Sequence, residues 1–148
     1  MKAFETLEDE IQVVAFKLGN EEYGIDILAV QEIIKVLNIT RVPRAGQFIE
    51  GVINLRGNVI PVFSLHNKFK LIPTGKPDEA RIIVFEFDEI KGGIRVDGVS
   101  EVIRINSSSI EDTSSVYGSL DSDFINGVAK INGRLLILLN LKKLLGID

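Results

Sequence analysis

With 148 residues, 45% of them hydrophobic and 26% charged, the chain has the composition of an ordinary soluble globular domain. A net charge of −4, with 17 basic residues spread along the sequence and only 7% aromatics, leaves no electrostatic footprint for nucleic acid. The absence of cysteine excludes a disulfide framework, a thiolate zinc site and a cysteine nucleophile.

Residues 1–10 are acidic and lack a long apolar run, which suits a flexible N-terminus and not a secretory signal, so a cytoplasmic protein is expected. Val13-Val14-Ala15-Phe16 reads as a strand. The next segment is ambiguous taken alone, because Ile27, Leu28, Val30, Ile33, Ile34 and Leu37 fit a helical stripe. From Phe48 to Leu65, two β-branched runs, Val52-Ile53 and Val59-Ile60-Pro61-Val62, flank Gly57-Asn58, which predicts a hairpin bending at that dipeptide. Arg56 stands beside the bend, an unusual place for arginine within an apolar strand pair. Its five donors on a stiff platform suit gripping a carboxylate or carbonyl on another molecule, and the plainer role is a strand-end cap pointing into water. Leu65-His66-Asn67-Lys68-Phe69 closes this half as a short amphipathic turn of helix.

The second half repeats the first. Ile82-Ile83-Val84-Phe85 matches Val13-Val14-Ala15-Phe16, and Gly92 to Ile103 matches Tyr23 to Ile34, at an offset of 69 residues. Beyond them Gly127-Val128 and Gly133 echo Gly51-Val52 and Gly57 at an offset of 76, which places a seven-residue insertion in the polar run from Ser107 to Asp123. Leu141-Lys142-Lys143-Leu144-Leu145 is the second helical turn. The pattern implies one duplicated unit. In the second copy Gly98 falls mid-segment and Val102-Ile103-Arg104-Ile105 is β-branched, which favours strand, turn, strand in both copies. Each half then holds about five short strands in about 60 residues, a small barrel. A barrel of that size buries only about 60% of its unfolded-chain surface and the whole chain about 70%, so the halves are expected to share a core, as one compact domain of two lobes with a groove between them.

Other function classes find little support. The most apolar window, Leu135 to Leu145, is broken by Asn140, Lys142 and Lys143 and is far short of the roughly 20 residues a bilayer requires, so no membrane insertion is expected. His66 is the only histidine, and no known motif places a serine or carboxylate to work with it, so the chain is not expected to be an enzyme. The pairs Glu21-Glu22 and Asp121-Asp123 lack the periodicity of a calcium loop. Neither metal nor cofactor is expected.

Six blocks, in order, carry a family resemblance: Glu22 to Leu28, Val30 to Ile33, Gly51-Val52-Ile53-Asn54-Leu55-Arg56-Gly57, Ile60-Pro61-Val62, Val96-Asp97-Gly98-Val99 and Leu136 to Asn140. Together they resemble the CheW family of chemotaxis coupling proteins, over about Ile11 to Leu145. The resemblance implies an all-β fold of two tandem five-stranded SH3-like barrels with short helical turns, sharing a core. It implies a single domain over residues 11–146, with lobe one at about 11–71 and lobe two at about 81–146. No kinase or response-regulator segment is attached, which favours a stand-alone adaptor, monomeric by itself.

The implied work is to couple the cytoplasmic tips of chemoreceptors to the regulatory domain of the CheA histidine kinase, in arrays at the membrane. A close alternative is a scaffold for a receptor–kinase pathway with another output, such as surface motility. The resemblance assigns Arg56 and Glu32 to receptor binding, with Val30, Asn54, Leu55 and Val99 lining the apolar part of the groove. It assigns Gly51, with Val36 and Ile39 as exposed apolar candidates, to the kinase contact. A second, ring-closing kinase contact falls around Glu111 to Tyr117, including Val116 and Tyr117, where Ser114-Ser115-Val116-Tyr117 departs from the acidic-aromatic pair of some relatives.

Overall fold

The computed structural model describes residues 10–46, 48–111 and 124–146. The expected flexible start therefore falls almost wholly outside the described residues, as do Val116 and Tyr117. The chain forms β1 (Glu10–Leu18), β2 (Glu21–Asp26), β3 (Val30–Lys35), β4 (Ile49–Leu55), β5 (Asn58–Phe63) and helix α1 (Leu65–Phe69). Then come β6 (Arg81–Phe87), β7 (Ile90–Val96), β8 (Gly98–Asn106), β9 (Ile110–Glu111), β10 (Ile125–Ile131), β11 (Arg134–Leu139) and helix α2 (Leu141–Leu144). The ambiguous segment is strand, turn, strand: β2 and β3 are joined by a single 3₁₀ turn, Ile27–Ala29.

Two compact units result. One holds residues 10–15, 21–27, 100–111 and 124–146, and the other Phe16–Asn20 with Leu28–Val99. Contiguous lobes at 11–71 and 81–146 do not describe them. The physical reason lies in strand pairing. The β6–β7 hairpin, from the second repeat, inserts between β3 and β5 of the first, giving a five-stranded sheet in the order β3-β6-β7-β5-β4. In the same way β1 and β2 sit between β8 and β11 in a six-stranded sheet, β8-β1-β2-β11-β10-β9.

Within the 28–99 unit the sheet rolls up. β3 and β4 are its opposite edges, yet Thr40, five residues beyond β3, pairs with Val52 of β4 through hydrogen bonds of 2.8 and 2.9 Å. Gly51 permits this closure. A Cβ there would press on the Thr40 carbonyl oxygen and come within 2.8 Å of Ile39 Cγ2. The other unit uses the same device: β9 follows edge strand β8 and pairs with β10, and a Cβ on Gly127 would meet Ile110 Cγ2 at 2.5 Å and the Glu111 carbonyl oxygen at 2.9 Å. Both glycines stand at a β-bulge, between Ile49 and Gly51 and between Ile125 and Gly127. Each sheet also contains one parallel pair, β5 with β7 and β11 with β2, again related by the repeat.

Apolar burial follows the strand pattern. In the 28–99 unit Ile53, Leu55, Ile60, Val62, Ile82 and Val84 form a core cluster, with Ile34, Val36 and Ile39 packed against it. In the other, Val13, Ala15, Ile105, Ala129, Leu136 and Leu138 do the same, with Ile11, Ile103, Ile110 and Ile131 alongside. Central β6 is buried on both faces from Ile82 to Phe85, which accounts for its unbroken β-branched and aromatic run. Both helices are capped alike: Ser64 Oγ accepts from Asn67 N–H, and Asn140 Oδ1 from Lys143 N–H.

Candidate functional site

The β4–β5 hairpin bends one residue earlier than Gly57-Asn58. Leu55 pairs with Asn58, so Arg56 and Gly57 are the two loop residues, with φ of 51° and 89°. Positive φ at both positions makes a primed turn, whose twist matches that of the strands. Gly57 adopts this freely. Arginine does so at a cost of roughly 1–2 kcal/mol. The matching turn of the second repeat carries Asn132 and Gly133, at 49° and 81°, and asparagine tolerates the left-handed region far better. Asn54 steadies the bend by accepting the Gly57 N–H at 2.9 Å.

From this turn the Arg56 guanidinium reaches Glu32 on β3 and forms an ion pair through Nη2. The contact joins the two edges of the rolled sheet. The Arg56 side chain remains 66% exposed and Glu32 29% exposed, so the pair is solvated and contributes no more than about 1 kcal/mol. A guanidinium held this loosely can exchange its carboxylate for a partner's with little loss.

The structure thus brings Glu32, Asn54 and Arg56 together. Val30 lies half-buried two residues before Glu32, across a β-bulge, and Val99 is half-buried near the start of β8. Leu55 is different: at 6% exposure it belongs to the core cluster and presents little surface. Val36 and Ile39, expected to be exposed, are half-buried against the same cluster, because the segment leaving β3 is drawn across to β4. Gly51 is buried and serves the barrel closure.

Two polar clusters escaped sequence reasoning. His66 does have a carboxylate beside it: its Nε2 lies 3.0 Å from Asp97 Oδ2, and both side chains are buried. Burial alone would raise the Asp97 carboxyl, but hydrogen bonds from His66, the Gly19 N–H and the Thr74 N–H outweigh it and hold the pKa below its ordinary value. No hydrogen bond joins the Ser64 hydroxyl to the imidazole among the described residues, since Ser64 caps α1 instead. The only sequence signal for the pair was an acidic residue directly after Val96, the last residue of β7. Asp97 and His66 also line a cleft of about 430 Å³ with Glu50, Thr74, Lys76 and Arg95, and Arg95 is paired with Glu50 at 2.7 Å.

The second cluster lies in the other unit. Arg134 donates from Nε and Nη2 to Glu22, at 2.9 and 3.1 Å, and from Nη1 to Glu101 at 3.0 Å. Hydrogen bonds to Glu22 and then Glu101 hold its pKa above the ordinary value. Glu101 is the repeat mate of Glu32, so both units set an arginine on this glutamate position, but Arg134 is gripped by two carboxylates and is only 38% exposed. Among the described residues no group of three or more His, Cys, Asp or Glu is placed to hold a metal ion, and no helix is long and apolar enough to cross a membrane.

Comparison with known proteins agrees with this architecture. The family model for the CheW-like domain matches residues 12–147. The chain is 38% identical over 143 residues to the chemotaxis protein CheW of Klebsiella aerogenes, covering 97% of this chain and 85% of that one. It is 32% identical over 141 residues to CheW of Treponema pallidum, covering 93% and 83%. The solved structure of the scaffolding protein TtCheW from Thermoanaerobacter tengcongensis superposes with a TM-score of 0.82 at 40% identity, covering 93% of this chain and 94% of that one. The rolled sheets, the repeat and these matches along nearly the whole chain establish that it belongs to the CheW-like family.

Proposed function

We propose that this chain is a non-enzymatic adaptor that couples chemoreceptor tips to the CheA histidine kinase. The observation that carries the reading is Arg56: an arginine in a strained left-handed turn, mostly exposed, where its repeat mate is asparagine. Strain of this kind persists where surrounding structure enforces it, and it concentrates at functional positions. Arg56 and Glu32, with Asn54, Val30 and Val99 around them, are the receptor-facing group. A receptor carboxylate or helix carbonyl meets the guanidinium, and the half-buried valines meet the apolar face of a receptor helix. The half-buried Val36 and Ile39, with the closure at Gly51, and Val116 with Tyr117 at the ring-closing contact, form the kinase side. The adaptor works cytoplasmically, recruited to membrane-anchored arrays, where many linked copies let individually moderate contacts add up. Signal passes if receptor states bind the adaptor with different affinities.

The test is calorimetric titration of wild type and Arg56→Asn against a trimeric receptor-tip fragment and the kinase regulatory domain in turn. Asparagine is the residue the second repeat uses at this position, so the variant should be at least as stable as wild type. It should lose about 1–3 kcal/mol of receptor affinity, as an interface arginine does, and keep its kinase affinity. Binding of neither partner by the wild-type chain refutes the coupling role.

A further inference from the structure

Asp97 forms the single-residue corner between β7 and β8, two residues before Val99. Its Oδ2 accepts the Gly19 N–H at 2.8 Å and the Thr74 N–H at 3.2 Å, and meets His66 Nε2 at 3.0 Å. Its own N–H donates to the Lys17 carbonyl at 2.9 Å, and the Thr74 hydroxyl donates to the Gly19 carbonyl at 2.6 Å. One carboxylate therefore gathers the end of β1, helix α1 and the loop at Thr74, partners 78, 31 and 23 residues away in the chain. A buried carboxylate persists only when its oxygens are satisfied, and removing it strands each donor it served. The charged groups facing this cluster are Glu50, Arg95 and Lys76 along the cleft. Arg95 is taken up by Glu50, so the side chains that meet Asp97 are the imidazole at 3.0 Å and, more distantly, the Thr74 hydroxyl at 3.5 Å.

We infer that His66 and Asp97 are positioning residues for the receptor contact: together they pin the β7–β8 corner and so fix where Val99 is presented. The inference rests on the receptor-facing assignment of Val99 made above. Without the pin, the corner is held by the Lys17 hydrogen bond and the strand ladder alone, and Val99 loses its fixed position relative to the rest of its unit. The pin itself touches no partner.

The experiment compares the wild-type chain with Asp97→Asn, His66→Leu and His66→Gln. Three readouts are taken: hydrogen exchange of the Gly19 amide with the Val99 methyl signals, receptor-tip affinity, and affinity for the kinase regulatory domain. Glutamine keeps a side-chain donor, so His66→Gln is the conservative rescue. Asp97→Asn and His66→Leu should speed Gly19 exchange, shift the Val99 methyl signals and weaken receptor-tip binding about tenfold, with kinase affinity within about twofold of wild type. His66→Gln should recover most of the lost receptor affinity. The inference is overturned if Gly19 exchange accelerates while receptor affinity stays within about twofold, or if both partners weaken together, which marks a general loss of fold. Failure of the wild-type chain to bind the receptor tip overturns the functional reading and this role with it; retained binding by wild type and variants alike overturns the pin only.

Discussion

Gly51→Ala tests whether barrel closure, and not a missing surface contact, explains why this position is glycine. The added methyl presses on the Thr40 carbonyl oxygen and lies within 2.8 Å of Ile39 Cγ2 and 2.9 Å of the Thr40 carbonyl carbon, so backbone has to move. Overpacking of this kind costs about 1–3 kcal/mol. The movement also disturbs the two hydrogen bonds between Thr40 and Val52, worth about 0.5–1.5 kcal/mol each. The expected loss is therefore about 2–6 kcal/mol, a large share of the roughly 5–15 kcal/mol by which domains are stable. Urea unfolding measures it through the midpoint at unchanged slope. Gly46→Ala is the control: nothing lies within 4 Å of its Cβ and its φ is not positive, so it should be neutral or up to about 1 kcal/mol stabilising. A Gly51→Ala midpoint equal to wild type, or equal damage from Gly46→Ala, would refute the closure argument. If closure holds, a Gly51 variant acts on the proposed kinase side through the displaced Ile39 and Thr40 and not through a lost surface contact of its own.

Leu55→Ala should cost about 2–5 kcal/mol in urea unfolding, because a side chain at 6% exposure leaves a cavity in the core cluster. Its receptor affinity, measured on folded protein, should change less than that of the Arg56 variant; the reverse ranking would return Leu55 to the contact surface. Asp97 gives an acid-sensitive term. Its folded pKa lies below the ordinary 3.8, so the unfolded chain binds the proton more readily. The stabilisation is fully present above that ordinary value and is lost as pH falls through the folded one, so Asp97→Asn should be less stable than wild type at neutral pH, with the gap closing in strong acid. A gap that is constant across the titration counts against it. Arg134→Leu should weaken the unit that contains β11, more at low salt than at high, since both of its carboxylate partners are partly solvated. Denaturation midpoints at two ionic strengths read this directly.

The repeat was legible because it is carried by residues with strict local demands. Gly51 and Gly127 recur where a second strand crosses against them, and Ser64 and Asn140 recur where a helix needs a cap. Strand, turn, strand in place of a helix at 28–37 followed from the second copy, where mid-segment Gly98 speaks against a helix and β-branched Val102, Ile103 and Ile105 suit a strand. The bend lies at Arg56-Gly57, one residue before the expected dipeptide, because Gly57-Asn58 is as good a turn locally and the choice is made by the Leu55–Asn58 register across the sheet. Strand exchange was illegible for the same reason. β3 and β5 each need a neighbour, and nothing in either sequence says that β6 and β7 supply it. The His66–Asp97 pair joins residues 31 apart with no spacing rule between them.

Duplication also gives a way to separate fold from function within one chain. Where both copies keep a feature in the same place, the barrel itself demands it, as with the two bulge glycines and the two parallel pairs. Where the copies part, the barrel has no stake and something else has chosen the residue. Glu32 and Glu101 are kept, yet the arginine each one meets arrives differently: Arg134 from within β11, held by a second carboxylate, and Arg56 from a turn that would be less strained with asparagine. The first arrangement uses up its guanidinium inside the chain. The second leaves most of it facing water at a conformational cost, which folding alone gives no reason to retain. That difference, set in otherwise matched geometry, is why the receptor contact is proposed for one unit and not for both.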